Sequence, residues 1–309
     1  MLAAVGYGIW YALGSPDGDD LANFDFPDFS DFTDVLDNFT DFEDGFNIDP
    51  FVGDNTTDNI WDNGGGNNGL KLELLNALDD TWQEELVLAV ADWENGNPDA
   101  LTLTTTKGDV DNACKPVDGL MKICNGNFGE TGWLGLNEII SNTRNGIIVN
   151  SVAKMNEFYL NNADFIERQY TMCHEIGHGF GLPHTDENFN NADLGNCLDY
   201  TRTPKNNLHP DISNFNRLKT IYGVTTRRHL LGKGNSSNVR TRRPLSSKVM
   251  AAYEEAIQEL EGKMVSIREA NRTSSGWRLL GTHAGGSRYT RNLGEGYTLN
   301  VHALHPIQK

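Results

Sequence analysis

The sequence predicts an α+β or mixed α/β domain over roughly residues 70–223, followed by a small helix-plus-β unit. Three observations support this. Short apolar or alternating runs bounded by Gly and Asn recur between residues 70 and 160. Two longer segments, around 81–95 and 164–180, carry apolar residues at helical spacing. Strands interleaved with helices imply a sheet with helices packed on it.

The elements follow in order. "LKLELL" from Leu70 alternates and predicts a strand. In "DDTWQEELVLAVADWENGNP", Thr81 and Glu84 form a capping box, and Trp82, Leu86, Ala89 or Val90, and Trp93 recur at helical spacing. Gly96 and Pro98 stop that helix, whose tryptophans predict core packing. "ALTLTTT", "GLMKIC", "GWLGLNEII" and "NGIIVNSVAKMNEFYL" predict further strands. Phe165, Ile166, Tyr170, Met172, Cys173, Ile176 and Phe180 mark the second helix, and Gly181 suits its left-handed end. In the tail, Val249, Tyr253, Ala256, Leu260, Met264 and Ile267 share one helical face. The residues after Ser275 predict a small antiparallel unit with Gly turns.

The chain has 309 residues and a formal net charge of −18. That charge argues against nucleic acid as a partner. It is unevenly spread: −15 over residues 1–70, −11 over 71–223 and +8 over 224–309. Five segments are therefore expected. Residues 1–14 are apolar, too short to span a bilayer, and suit a signal peptide or the remnant of a membrane tether. Residues 15–69 set Phe among acids and predict a low-complexity stalk or propeptide. The main α+β or mixed α/β domain follows at 70–223, then an Arg-rich linker at 224–245 and the small C-terminal unit at 246–309. Asn38, Asn55, Asn235 and Asn271 begin N-x-S/T sequons, compatible with a secreted or extracellular location. The four cysteines, Cys114, Cys124, Cys173 and Cys197, form no CxxC pair; they fit two disulfides or four buried thiols.

The chemistry concentrates in "YTMCHEIGHGFGLPHTDE", residues 170–187. On a helix His174 and His178 leave the same face, a spacing that lets two imidazoles share one zinc ion. Gly181 lets the chain turn and bring His184 to a third position. Three neutral imidazoles leave one coordination position open, the mark of a catalytic zinc. Glu175 is placed to act as general base on a water there. A structural Ca2+ has no support in the sequence. His209, His229, His283, His302 and His305 lack ligand spacing and read as ordinary surface or turn residues.

"HEIGHGFGLPHTD" resembles the zinc-binding helix and turn of the metzincin metallopeptidases, with "GLPH" nearest the matrixin-like branch. The resemblance implies a zincin domain with a twisted mixed sheet, a backing helix and an active-site helix. It also implies zinc-dependent cleavage of protein or peptide substrates, with His174, His178 and His184 as ligands and Glu175 as base. The family carries a Met in a turn beneath the zinc; "NCLDYT" takes that place with Leu198 instead. Tyr200 matches a tyrosine that reaches the zinc or the oxyanion in astacin-like and serralysin-like members. Its alternative is a packed ring whose hydroxyl bonds backbone. Asp186 is expected to anchor the loop or a histidine Nδ1–H.

In this picture a Cys173–Cys197 bridge would tie the zinc helix to the turn, and Cys114–Cys124 would close a short loop. Substrate is expected to add as a strand along a sheet edge, with 146–153 the candidate and 199–208 walling a pocket. No cysteine precedes Cys114, so a propeptide thiolate latch is not expected, although an aspartate of the acidic head could serve. The rival expectation is a non-enzymatic extracellular matrix or wall protein with a structural zinc site.

Overall fold

The computed structural model describes residues 59–225, 244–270 with side chains to 261, and 276–306. The apolar leader, the acidic tract up to residue 58, the four sequons, residues 226–243 and the side chains of Met264 and Ile267 lie outside the described residues.

Side-chain alternation governs the sheet. Strand β2, Leu70–Asn76, buries every second residue of LKLELLN. Strands β4, Met121–Gly126, and β5, Gly135–Asn142, are buried almost throughout, as is most of β6, Ile147–Asn156. Burial on both faces is what interior strands need. With β1 (Ile60–Trp61), β3 (Leu101–Lys107), β7 (Arg278–Thr282), β8 (Gly286–Gly294) and β9 (Tyr297–Leu304), the described strands form one sheet. Its order is β3-β2-β4-β6-β5-β9-β8-β7, with β1 beside the start of β6. β3, β2, β4 and β6 run parallel, and β5 turns antiparallel against β6. β9 pairs antiparallel with the whole of β5, from Gly135 opposite Leu304 to Asn142 opposite Tyr297.

Helices α1 (Gln83–Glu94) and α3 (Phe165–Gly179) cover one face, joined by the short α2 (Glu157–Leu160) and α4 (Ile212–Tyr222). Trp82, Trp93, Ile176, Phe180 and Ile139 pack in the core there. Helix α5, Ser247–Ala270, covers the other face of β5, β8 and β9. Leu136 and Ile140 of β5 meet Val249, Tyr253 and Leu260 of α5 in that second core. A buried ion pair crosses it: Lys154 Nζ lies 2.6 Å from Glu138 Oε1, and Tyr253 Oη donates to Glu138 Oε2 at 2.5 Å. The result is an α+β fold, a mixed sheet flanked by helices, one of which carries the histidine motif.

Several expectations are corrected. The fold includes residues ahead of Leu70: β1 pairs with β6, and Trp61 buries its indole and donates Nε1–H to Gly179 O at 2.7 Å. Thr81 and Glu84 do not cap α1; Asp79 accepts from Thr81 N and Oγ1, and a 3-10 turn over Asp80–Trp82 leads into the helix. Segment 146–153 is no edge, since β6 has β1 and β4 on one side and β5 on the other. The C-terminal strands are not a detached hairpin: β9 extends the sheet at β5. Helix α4 was not foreseen, although Asp211 and Asn214 write its capping box into the sequence.

Candidate metal centre

Helix α3 starts where Asp164 accepts from Glu167 N, and it ends in a buried, crowded place. Tyr222 Oη donates to Phe180 O at 2.7 Å, beside the Trp61 bond to Gly179 O. Gly181 then adopts φ +87°, and a Cβ there would stand 2.1 Å from Asn59 O. Only glycine permits this turn, which carries His184 back toward the helix.

His174, His178 and His184 converge, and all three are buried. Nε2 of His178 lies 3.0 Å from Nε2 of His174 and 3.0 Å from Nε2 of His184. Each Nδ1 is held from behind: His174 by Cys197 O at 2.7 Å, His178 by Leu182 O at 2.8 Å, and His184 by Glu187 Oε1 at 3.1 Å. An Nδ1–H donated backwards leaves the Nε2 lone pair facing forwards, the form a metal needs. A tetrahedral zinc with Zn–N of about 2.0–2.1 Å sets its nitrogens ~3.3 Å apart, so the cluster has the right scale. Burial holds all three imidazoles well below the ordinary histidine pKa; neighbouring histidines add to this at His174 and His178, and Arg288 and His283 at His184. Neutral imidazole is the ligating species.

Glu175 is fully buried, and neither carboxylate oxygen has a hydrogen-bond partner. Burial pushes its pKa well up. The carboxylate lies across β5, where a Cβ on Gly135 would come within 2.6 Å of Glu175 Oε1. Asn137 Nδ2 donates to Glu175 O at 2.8 Å and pins the helix to the same strand. The orphaned carboxylate and the three convergent nitrogens fit a divalent cation with a water beside it. This His-Glu-His…His cluster supports a zinc-dependent catalytic site of the metalloendopeptidase type.

The turn beneath is tied to the helix by a disulfide. Cys173 and Cys197 are bridged, with Cα atoms 5.9 Å apart, and Cys114 bridges Cys124. Leu198 is fully buried, its methyls against Gly177 between the two helix histidines. Tyr200 is buried with its ring 4.1 Å from that of His184. Asp186 anchors the loop, accepting from Asn188 N at 2.6 Å. The histidine partner is Glu187 instead, three residues past His184, a spacing visible in the sequence.

The largest surprise comes from the tail. His302 of β9 packs against His178 with ring centroids 4.1 Å apart, so it is no ordinary surface residue. His302 Nδ1 is buried without a partner. The β7–β8 turn reaches the centre too: His283 Nε2 lies 2.7 Å from Glu187 Oε2, and Arg288 Nε 3.7 Å from Glu187 Oε1. Gly286 presses so close that a Cβ would stand 2.1 Å from Tyr200 Oη and 2.5 Å from Ala303 O. His209 pairs with Asp92 away from the metal centre, and His305 Nε2 meets Ser287 Oγ at 3.1 Å.

No family model, curated protein or solved structure matches this chain. The His174–Glu175–x–x–His178 run with His184 nonetheless matches the metzincin HExxHxxGxxH zinc-binding motif.

Proposed function

We propose that the chain is a metzincin-type zinc endopeptidase that hydrolyses peptide bonds of extracellular proteins. One observation carries this: three Nε2 atoms converge, each with Nδ1 held from behind, beside a buried carboxylate that has no partner. Zinc held there supplies acidification of a water and polarisation of a carbonyl. The chain's own residues do the rest. His174, His178 and His184 hold the ion, oriented by Cys197 O, Leu182 O and Glu187. Glu175, its pKa raised by burial, takes the proton of the water that attacks the peptide carbon and delivers it to the departing amine nitrogen. Tyr200, packed on His184, offers its hydroxyl to the carbonyl oxygen as charge develops. Asn137 and Gly135 keep Glu175 in line by fixing helix to strand.

The rival, a matrix or wall protein with a structural zinc, is favoured by one feature: His174, His178 and Glu175 are at most 1% exposed and His184 is 5% exposed. A quenched peptide library separates the two. It is incubated with zinc-loaded full chain, with Gly286→Ala, which crowds the covering turn off Tyr200, and with Glu175→Ala in each background. Expected is cleavage abolished by chelator and reduced about 10²–10⁴-fold by Glu175→Ala while zinc stays bound. Zinc binding with no cleavage by any form hands the case to the rival.

A further inference from the structure

Strand addition is how extended peptides bind sheet proteins: the sheet edge supplies backbone hydrogen bonds, and pockets take alternate side chains. Of the strands preceding α3, β5 runs beside the metal centre, with Gly135 against Glu175 and Asn137 bonded to it. Its outer edge is not free. β9 pairs with it antiparallel over its whole length. Strand alternation then sorts β9 by face. Leu299, Val301 and Ala303 point into the α5 core, whereas Leu304 and His302 lie on the metal side. His302, opposite Asn137 in register, packs against the ligand His178. From the next strand, Arg288 opposite His302 reaches Glu187, and the Gly285–Gly286 turn seals Tyr200.

We propose that β9 holds the place of a bound peptide. The β5 edge is the docking strand for an extended, antiparallel peptide substrate, and the chain's own residues 297–304 occupy it, with His302 and the 283–286 turn closing the metal centre. This rests on the peptidase assignment above and adds its regulation: the enzyme is latent until β7–β9 moves. The polar contacts on this side suit a cover. Glu187 binds His184, His283 and Arg288 together, so moving the turn also changes the group that orients a ligand. The attachment is substantial, because β9 shares a core with α5. Deleting residues 276–306 would expose Leu136 and Ile140 and confound the test, so the full chain is used.

The probe is acetohydroxamate, titrated into the cobalt-loaded full chain and followed by visible absorption. His302→Ala and Gly286→Ala are compared with the parent. Expected is an apparent affinity at least tenfold higher in both variants, the gain when an open state populated at about 10% or less becomes the main one. Peptide cleavage should rise in parallel, and hydrogen exchange should quicken at 297–304. A parent that takes acetohydroxamate as tightly as both variants overturns the cover. Should either variant fail to fold, hydrogen exchange on the unmodified parent decides: acetohydroxamate binding with no change at 297–304 overturns the proposal, and faster exchange there supports it. The two assignments fail differently. Variants that admit the probe but never cleave leave the cover standing and sink the peptidase. A parent that binds and cleaves at the variants' rate does the reverse.

Discussion

Two regions meet at the metal centre and are held there by different means. Segment 164–201 is fastened covalently and through its backbone: the Cys173–Cys197 bridge, the carbonyls behind two imidazoles, and Asn137 on the helix. Segment 276–306 is fastened by strand pairing, by side chains gathered on Glu187, and by packing with α5. The first arrangement has one geometry available to it. The second is a sum of separable contacts, of which those on Glu187 also bear on the orientation of His184. A preorganised site wants the former, and a movable cover wants the latter.

The largest effect is expected behind both regions, where α5, the helix packed under the second, meets β5 and β6 over buried charge. Lys154 and Glu138 are each 1% exposed, and Glu261 of α5 lies 3.5 Å from the same ammonium. Burial alone would depress the Lys154 pKa, yet Glu138 and Glu261 together raise it, so the lysine is charged. Lys154→Met leaves Glu138 buried without its cation and should cost about 3–5 kcal/mol. Urea denaturation at neutral pH measures this, and Lys154→Met with Glu138→Leu should recover most of it. A single variant within ~0.5 kcal/mol of the parent would show that the α5 side is not anchored through this pair.

Much of this contrast could be read in the sequence, and the remainder could not, for a definite reason. The triad was legible because its geometry is local: an i, i+4 pair on one helix and a third histidine after a glycine turn. The strands of 70–156 were legible through their alternation and their Gly and Asn boundaries. His302 was not, because strand pairing across 165 residues brings it to Asn137, and no linear spacing encodes a register. "TLNVHAL" does display the alternation that puts His302 opposite in face to Val301; only the identity of the neighbouring strand was missing. Trp61 was lost for a related reason. Its surroundings are acidic and Gly-rich, and its burial depends on Gly179 and Tyr222, far along the chain.

A smaller effect is expected at Glu187, where both regions touch one carboxylate. It orients His184 and holds His283 and Arg288. Glu187→Gln should weaken zinc affinity by about 10–100-fold, the usual consequence of losing a group that orients a ligand. Competition against a chromogenic chelator reads this directly. The same variant should loosen the cover, so acetohydroxamate uptake should rise as zinc affinity falls. Both quantities moving down together would mean that Glu187 serves the ligand alone.

The smallest effect is expected outside both regions, on the surface of α1. His209 Nδ1 lies 2.6 Å from Asp92 Oδ2, with the histidine side chain 61% exposed. The hydrogen bond and charge of Asp92 raise the His209 pKa, overcoming partial burial. A raised folded value means the pair stabilises the protein fully below the unfolded histidine pKa of about 6.5, and the gain fades as pH rises through the folded value. Exposed pairs are worth at most about 1 kcal/mol, and salt screens them. Asp92→Asn should therefore lower the His209 titration midpoint, seen by NMR, and shift stability slightly below pH 6.5 and hardly at all well above the folded midpoint. Zinc affinity and acetohydroxamate uptake should both stay at parental values, because neither the triad nor the cover touches this pair. If either moved, the metal centre would be coupled to the α1 surface, and the division between a fixed site and a movable cover would be too simple.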